Sequence, residues 1–427
     1  MKRLFSLLLV TIVAVGILAG CRAIVMPTAS LGAASALPAA AATPQEAAQP
    51  AQDETSASTA VAAGASGAEA KPVAILPTPT PAPPPTEPTA EPVAEAAAGV
   101  TATVVTEAAT EAAPEPATAP VEATDVFTIG NELTIAALLQ RDIEGSPITI
   151  EQQLDDGANY SRYIASYISE GNKIYGLLTV PFGDPPEGGF KAIVFNHGYI
   201  PPAQYRTTER YVAYVDALAR AGFVVFKIDM RGFGNSEGEP EGSYFSPAYT
   251  IDAISALKSL QTLDYVDPNG IGMWGHSMAG NLLLRAMLIE PSIKAGVIWA
   301  GAVYSYDDMA RYSIQDTSYV PPSADSPGRR KSQEIRATYG QPNTAVPFWQ
   351  AVSLTEHIDL LKAPLQLNHA RNDDVVNIGY SDDLAAVLNA AGKEYEYYQY
   401  DGGGHNINSP YFEQAMQHTI EFFKAHL

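Results

Sequence analysis

The chain has 427 residues, of which 46% are hydrophobic and 17% charged, and its net charge is −22 at pH 7. This length and apolar content allow a large folded core, and the acidic balance argues against the basic surface that a nucleic-acid partner needs. The single cysteine excludes an intrachain disulfide.

The first segment, residues 1–21, is predicted to be a signal segment. A basic start precedes an apolar run over residues 4–18, which is too short for an ordinary membrane-spanning helix. The tetrapeptide Leu-Ala-Gly-Cys that ends at Cys21 resembles a bacterial lipobox. We therefore expect lipidation at Cys21 and an extracytoplasmic protein that is anchored to the bacterial cell membrane as a lipoprotein. A plain signal peptide and an uncleaved anchor are the alternatives.

The second segment, residues 22–125, is expected to be a disordered tether. It is rich in Ala, Pro, Thr and Glu, and the proline-rich stretch over residues 77–85 favours polyproline II. Such a composition buries too little apolar surface to offset the entropy of ordering the chain. The folded domain is therefore predicted to cover residues 126–427.

Strand and helix patterns alternate within the predicted folded domain. This alternation predicts an α/β fold with a mostly parallel central sheet and helices on both faces. Strands are predicted over residues 174–180, 192–196, 223–229, 271–275 and 296–300, after a helix and a strand pair within residues 126–170. Helices are predicted over residues 208–221, 249–263, 381–391 and 411–426.

The most informative motif is IGMWGHSMAG, residues 271–280. A short apolar strand ends in Gly-His-Ser-Met-Ala-Gly and passes directly into a helical pattern, which is the layout of a nucleophile elbow. Ala279 replaces the last glycine of the G-x-S-x-G consensus. Ser277 is the predicted nucleophile, and the N–H of Met278 is the first predicted oxyanion donor. The alternative is a glycine-rich turn with a solvated serine.

Three further residues are predicted to lie around this elbow. The strand over residues 192–196 runs into a His-Gly turn, and the N–H of Tyr199 in that turn is the second predicted oxyanion donor. His197 is expected to hold this loop rather than to react. His276 is expected to point away from the nucleophile because side chains alternate along a strand.

An acidic loop and a glycine-rich loop follow the elbow in the order that a Ser-Asp-His triad requires. A buried strand pattern leads into Asp373 and Asp374, either of which could orient a histidine. A later strand pattern ends in Gly402-Gly403-Gly404-His405, which predicts His405 as the general base. His369, just before the acidic loop, is expected to be structural.

An insertion at about residues 304–354 is polar and aromatic. Long loops in compact domains tend to be functional, and we expect this one to form a cap over the site. An irregular surface loop is the alternative. The aromatic residues within residues 313–341 are expected to line the substrate pocket.

These motifs together resemble α/β-hydrolases related to the catalytic domain of prolyl oligopeptidases and acylaminoacyl peptidases. Residues 229–238, DMRGFGNSEG, are similar to the D-x-R-G-x-G-x-S-x-G loop of that superfamily, and residues 265–272 to the lead-in of its nucleophile strand. Residues 369–376, HARNDDVV, resemble its acid loop H-G-x-x-D-x-x-V. This resemblance implies the α/β-hydrolase fold, with Asp373 as the triad acid and Asp374 as the alternative.

Two classes of function fit this sequence. The first is a serine hydrolase that forms an acyl-enzyme on Ser277, and the second is a catalytically silent surface binding protein on the same fold. The Ser-Asp-His order favours the hydrolase. The resembling family normally carries a β-propeller that screens substrates, and this chain has the tether in its place, so small esters and short peptides both remain open as substrates. We expect no cofactor and no metal, and the sequence does not indicate an oligomeric state.

Overall fold

The computed structural model describes residues 100–104 and 127–427. Its strands are β1 (Val100–Val104), β2 (Thr149–Leu154), β3 (Tyr160–Ser169), β4 (Asn172–Pro181), β5 (Phe190–Asn196), β6 (Val224–Ile228), β7 (Val266–His276), β8 (Gly296–Trp299), β9 (Leu365–Ala370) and β10 (Tyr395–Tyr400). They form one ten-stranded sheet in the order β1-β10-β9-β8-β7-β5-β6-β4-β3-β2. Strands β5 to β10 pair in parallel, and β1 to β4 pair antiparallel at the two ends of the sheet.

The α-helices include one near each of the four predicted ranges. They are α1 (Ile135–Leu139), α2 (Val212–Arg220), α3 (Ala248–Leu260), α4 (Met278–Ile289), α5 (Asp308–Arg311), α6 (Pro327–Tyr339), α7 (Pro347–Val352), α8 (Gly379–Ala390) and α9 (Phe412–His426). Helix α2 begins later than predicted because Tyr211 adopts the left-handed conformation, φ 58° and ψ 27°, which an α-helix cannot contain. In the described ranges, no helix combines the length and the apolar character needed to cross a membrane.

The central sheet is covered by helices on both faces, as predicted. Every residue of β6 is buried, which is typical of a parallel strand between two helical layers. Val194 of β5 belongs to a core formed with α3 and α4, whereas its neighbour Phe195 belongs to a second core formed with α2 and α9. The two apolar faces of one strand thus hold the two layers of the domain together.

Strand β1 lies within residues 22–125, where the sequence predicts a disordered tether. It pairs antiparallel with β10, from Val100 opposite Tyr400 to Val104 opposite Glu396. Without it, β10 would be an edge strand with unpaired N–H and C=O groups, which a short Val- and Thr-containing segment can pair with. These five residues thus form a strand within the segment that is predicted to be a tether. The signal segment, Cys21 and the remainder of the tether lie outside the described residues.

The insertion between β8 and β9 contains α5, α6 and α7. Its aromatic side chains build a separate small core, which contains Tyr306, Phe348 and Trp349 together with Leu133 from before β2. Tyr339 stacks on Phe348 with the ring centroids 4.1 Å apart. The expectation that the aromatic residues of this insertion line the substrate pocket is therefore wrong for Tyr339, because burying large apolar rings in a common core is favourable.

Candidate active site

The predicted site residues of the described range all follow the carboxyl ends of neighbouring strands. Tyr199 comes after β5, Ser277 and Met278 after β7, Asp373 after β9, and His405 after β10. These strands run parallel, so the loops that follow them lie at one edge of the sheet. This edge is where open α/β sheets bind their ligands.

Ser277 occupies a strained turn between β7 and α4. Its backbone has φ 56° and ψ −119°, a conformation that costs energy for any residue with a Cβ atom and that is typical of a nucleophile elbow. The turn leaves no room for larger neighbours, because a Cβ atom on Gly275 would lie 2.9 Å from the carbonyl oxygen of Ala279. The Ser277 N–H donates to the carbonyl of Trp299 on β8, at 2.9 Å, and fixes the turn against the sheet.

The loop after β5 lies directly against this elbow. A Cβ atom on Gly198 would lie 3.1 Å from Cβ of Ser277. The buried His197 is 2.7 Å from the Gly198 carbonyl, and because a carbonyl only accepts, Nδ1 of His197 is the donor. Burial lowers the pKa of His197 to about 4, so the ring is neutral. As expected, His197 holds the loop.

Two backbone N–H groups beside Ser277 are free to bind an anion. A trans peptide places its N–H opposite its C=O, so fixing the Gly198 carbonyl also fixes the direction of the Tyr199 N–H. The Met278 N–H belongs to the first turn of α4, where helical N–H groups lack an intrahelical acceptor. In the part of the chain that the structure describes, neither N–H donates to a protein acceptor.

His405 and Asp373 form a hydrogen-bonded pair across their two loops. Nδ1 of His405 is 2.8 Å from Oδ2 of Asp373, whose side chain is fully buried. The other carboxylate oxygen of Asp373 accepts the N–H groups of Val375 and Val376, both at 2.9 Å. Asp374 is exposed. Of the two carboxylates that the sequence left open, the structure brings Asp373 to the histidine.

A second histidine also contacts Asp373, which the sequence analysis did not anticipate. Nε2 of His369 is 3.1 Å from Oδ2 of Asp373 and 3.0 Å from the carbonyl of Val376, so Nε2 carries the proton. Burial opposes ionisation of Asp373, but the hydrogen bonds from His369 and His405 outweigh it and hold the pKa of this carboxyl well below its usual range. The only sequence signal for this contact is the spacing of the H-x-x-x-D pattern.

The His276 side chain makes its hydrogen bonds with Tyr211 and with the loop that carries His405. Its Nε2 is 2.9 Å from the carbonyl of His405, and its Nδ1 is 2.8 Å from the hydroxyl of Tyr211. Burial, followed by the charge on His405, lowers the pKa of His276 to about 3. His276 is therefore a neutral, buried hydrogen-bonding group.

The insertion contributes a strap, residues 314–320, that spans from the loop after β9 to the loop after β5, which is named the oxyanion loop after its predicted donor, the Tyr199 N–H. Ile314 forms an antiparallel bridge with Val376, and Val320 makes two hydrogen bonds of 3.1 Å with the Tyr199 hydroxyl. The ring of Tyr319 lies 5.2 Å from that of Tyr199. The strap therefore borders the loop after β5, and Tyr319 is its aromatic contact there.

The neutral burial of His276 predicts a pH-dependent stability. The groups that face it are Tyr211 and His405, with Asp373 and His369 farther away. Between its folded pKa of about 3 and its usual 6.5, His276 binds a proton in the unfolded chain but not in the folded one. The contribution of neutral His276 to the free energy of unfolding is therefore complete above pH 6.5 and is lost as the pH falls toward 3. Each pH unit in this window lowers the free energy of unfolding by about 1.4 kcal/mol.

We therefore expect the free energy of unfolding of the wild type to fall by about 2 kcal/mol more than that of His276→Gln between about pH 6 and pH 4.5. Denaturant titrations of both proteins at several pH values measure this difference. The comparison cancels the contributions of the other titrating groups, which both proteins share. Parallel curves for the two proteins would show that folding does not lower the pKa of His276.

The arrangement as a whole supplies a serine on a strained elbow, a histidine paired with a buried carboxylate, and two free N–H donors. These are the parts from which acyl transfer is built. Within residues 100–104 and 127–427, no group of three or more His, Cys, Asp or Glu side chains is arranged to hold a metal ion.

Sequence comparisons connect this domain with hydrolases. Residues 190–321 match the family described as serine aminopeptidase, S33. The uncharacterized peptidase YtmA of Bacillus subtilis (strain 168) is 26% identical over 242 residues, which cover 56% of this chain and 83% of that protein. An uncharacterized 31.7 kDa protein from the traX-finO intergenic region of Escherichia coli is 30% identical over 111 residues, which cover 26% of this chain and only 37% of that protein.

Structural comparisons agree on the fold. Acetyl xylan esterase 1 from Thermoanaerobacterium sp. JW/SL YS485 superimposes with a TM-score of 0.50 and 15% identity, over 69% of this chain and 93% of the esterase. An acylaminoacyl peptidase in complex with Z-Gly-Gly-Phe-chloromethyl ketone also gives a TM-score of 0.50, with 20% identity, over 63% of this chain and 42% of the peptidase. The domain has the α/β-hydrolase fold.

Proposed function

We propose that the protein is a serine hydrolase that cleaves an ester or peptide bond through an acyl-enzyme on Ser277. The observation that carries this proposal is the His405–Asp373 hydrogen bond of 2.8 Å at the sheet edge where Ser277 sits on a strained elbow. Because Nδ1 of His405 donates to Asp373, Nε2 is left to accept the serine proton. A silent binding protein has no need of this combination.

In the proposed mechanism, Oγ of Ser277 attacks the carbonyl carbon of the substrate as Nε2 of His405 takes its proton. The carbonyl oxygen becomes an oxyanion and accepts the N–H groups of Tyr199 and Met278. The carbon–leaving-group bond then breaks, and the imidazolium donates its proton to the departing alcohol or amine. Water repeats the sequence on the acyl-enzyme with His405 again as the base, which releases the acid and restores Ser277.

The substrate is proposed to be a small ester or a short peptide. Both chemistries use the same arrangement of serine, histidine and carboxylate, so the fold does not separate them. The relatives point in both directions, because YtmA is described as a peptidase and the Thermoanaerobacterium protein as an acetyl xylan esterase. The strap (residues 314–320) borders the two loops that flank the nucleophile, and this position favours substrates small enough to pass beside it.

Labelling with a fluorophosphonate probe tests the proposal directly. We expect stoichiometric modification of Ser277, located by mass spectrometry of the labelled peptide. A panel of p-nitrophenyl esters and aminoacyl p-nitroanilides, measured on the same protein, then separates esterase from peptidase activity through kcat/KM. A folded protein that neither takes up the probe nor cleaves any member of the panel would be the silent binding protein instead.

We also propose that the protein is held at the extracytoplasmic face of a bacterial membrane by a lipid on Cys21. The support is the lipobox-like sequence and the position of the only cysteine at the end of the apolar run. Cys21→Ala is expected to move the protein from the detergent phase to the aqueous phase in a detergent partition. Mass spectrometry of the mature N-terminus is the decisive measurement, and an unmodified cysteine or a different start would remove the anchor.

A further inference from the structure

The hydroxyl of Tyr211 lies between the two loops on which the proposed hydrolysis depends. Tyr211 directly precedes α2, and its left-handed backbone is a conformation that a non-glycine residue keeps only when its surroundings impose it. Its ring packs edge-on against Phe195 and Trp274, with centroids 5.5 and 6.0 Å away. This packing holds the phenol so that its hydroxyl reaches both Gly198 and His276.

The chemistry of the partners fixes the direction of each hydrogen bond in this group. The Gly198 N–H can only donate, and it does so to the Tyr211 oxygen at 2.9 Å. The His405 carbonyl can only accept, so Nε2 of His276 carries the ring proton and Nδ1 is an acceptor. The Tyr211 hydroxyl proton therefore goes to Nδ1 of His276, 2.8 Å away. One continuous chain of hydrogen bonds runs from the oxyanion loop through Tyr211 and His276 to the His405 loop.

At the first end of this chain, Gly198 is held on both sides. Tyr211 accepts its N–H, and His197 donates to its C=O at 2.7 Å. The Tyr199 N–H belongs to the same peptide group as the Gly198 carbonyl, so its direction depends on both of these hydrogen bonds. Loss of the Tyr211 hydroxyl would release one of them and would leave the Gly198 N–H, which faces the protein interior, without an acceptor.

At its second end, the chain of hydrogen bonds fixes the backbone of the proposed general base, His405. The loop that carries His405 is intrinsically loose, because Gly403 and Gly404 precede it with φ of 100° and 61°. His276 donates to the carbonyl of His405, and Tyr214 of α2 donates to the carbonyl of Asn406 at 2.7 Å. Asp373 sets the direction of the His405 ring, and these backbone holds set its position.

We infer that Tyr211 is a positioning residue, which sets the oxyanion loop and the His405 loop at their working separation through His276. The inference rests on the proposed function and deepens it. Tyr211 touches none of the reacting atoms, so its effect should fall on the chemical step rather than on substrate binding. A ring that merely filled space would act equally well without its hydroxyl.

The primary test is Tyr211→Phe, which removes the hydroxyl and keeps the ring. We expect kcat for p-nitrophenyl acetate to fall about 10- to 100-fold with KM changed less than about twofold, because misplaced donors and base raise the barrier without weakening ground-state binding. The matched control is Tyr160→Phe, since Tyr160 also donates a phenol hydrogen bond to α2, at Asp216, 2.8 Å away. This control should retain wild-type kcat, and an equal kcat for Tyr211→Phe and wild type would overturn the inference.

A double-mutant cycle shows whether Tyr211 and His276 act as one chain. His276→Leu removes both ring nitrogens, and we expect the double variant with Tyr211→Phe to lose no more activity than the worse single variant. Effects that multiply instead would mean two independent structural roles. His276→Gln, which keeps one donor and one acceptor, should retain more kcat than His276→Leu.

The ¹⁵N NMR signals of the His276 ring separate this inference from the proposed function. Wild type should show the neutral form with the proton on Nε2, and Tyr211→Phe should shift the Nδ1 signal as it loses its donor. If the wild type shows this pattern but hydrolyses no substrate and takes up no fluorophosphonate, the proposed function alone fails. An Nδ1 signal that does not move in Tyr211→Phe would refute the hydrogen-bonded chain whatever the activity.

Discussion

Replacing Ser277 by alanine is expected to lower kcat by about a millionfold, to the background rate, while the fold stays intact. The substitution removes a single oxygen from a partly exposed turn, and it does not change the strain of the turn, because alanine and serine both carry the Cβ atom that resists φ 56°. The free energy of unfolding should change by less than about 1 kcal/mol. Steady-state hydrolysis of p-nitrophenyl acetate, fluorophosphonate uptake and denaturant unfolding measure the three effects.

Ser292→Ala is the matched control for this experiment. Ser292 follows α4, is only partly exposed, and its hydroxyl has no hydrogen-bond partner within the described residues. This control should keep full activity and full labelling. Residual labelling of Ser277→Ala at the wild-type rate would place the nucleophile elsewhere and would withdraw the proposed mechanism.

The elbow was predictable because every feature that defines it is local in the sequence. The apolar strand, the small residues around Ser277 and the apolar helix that follows occupy adjacent positions, and sterics alone then dictate a sharp turn. The alternation of strands and helices predicts the parallel sheet for the same reason. Strand β1 escaped prediction, because its Val/Thr segment is too short to stand out from the tether and gains order only by pairing with β10.

The contacts around the elbow could not be predicted in the same way. Asp373 and Asp374 are adjacent in the sequence and have the same side chain. They differ because the N–H groups of Val375 and Val376 donate to Asp373. The roles of Tyr211 and His369 depend on single hydrogen bonds. That of Tyr211 is to a residue distant in the sequence, and that of His369 is to a residue in the following loop. Hydrogen bonds of this kind leave no periodic pattern in a sequence.

Asp373→Asn is the substitution that most sharply tests the geometry of the proposed triad. All four hydrogen bonds to the Asp373 carboxylate come from donors: Val375, Val376, His369 and His405. An asparagine keeps one carbonyl oxygen, which satisfies the two backbone N–H groups, and its NH₂ then points at the two histidines. His405 can accommodate that NH₂ only by moving its own proton from Nδ1 to Nε2.

That change of tautomer should lower kcat by at least about a thousandfold, because Nε2 can then no longer accept the proton of Ser277 and the imidazolium loses its stabilising charge. The folded pKa of Asp373 lies well below its usual range, so the wild-type carboxylate is ionised throughout the working pH range and the loss should persist across it. Asp374→Asn, an identical change on the exposed neighbour, should cost little. Pre-steady-state acylation rates of the two variants, measured side by side, decide between them, and a larger loss at Asp374 would move the triad by one residue.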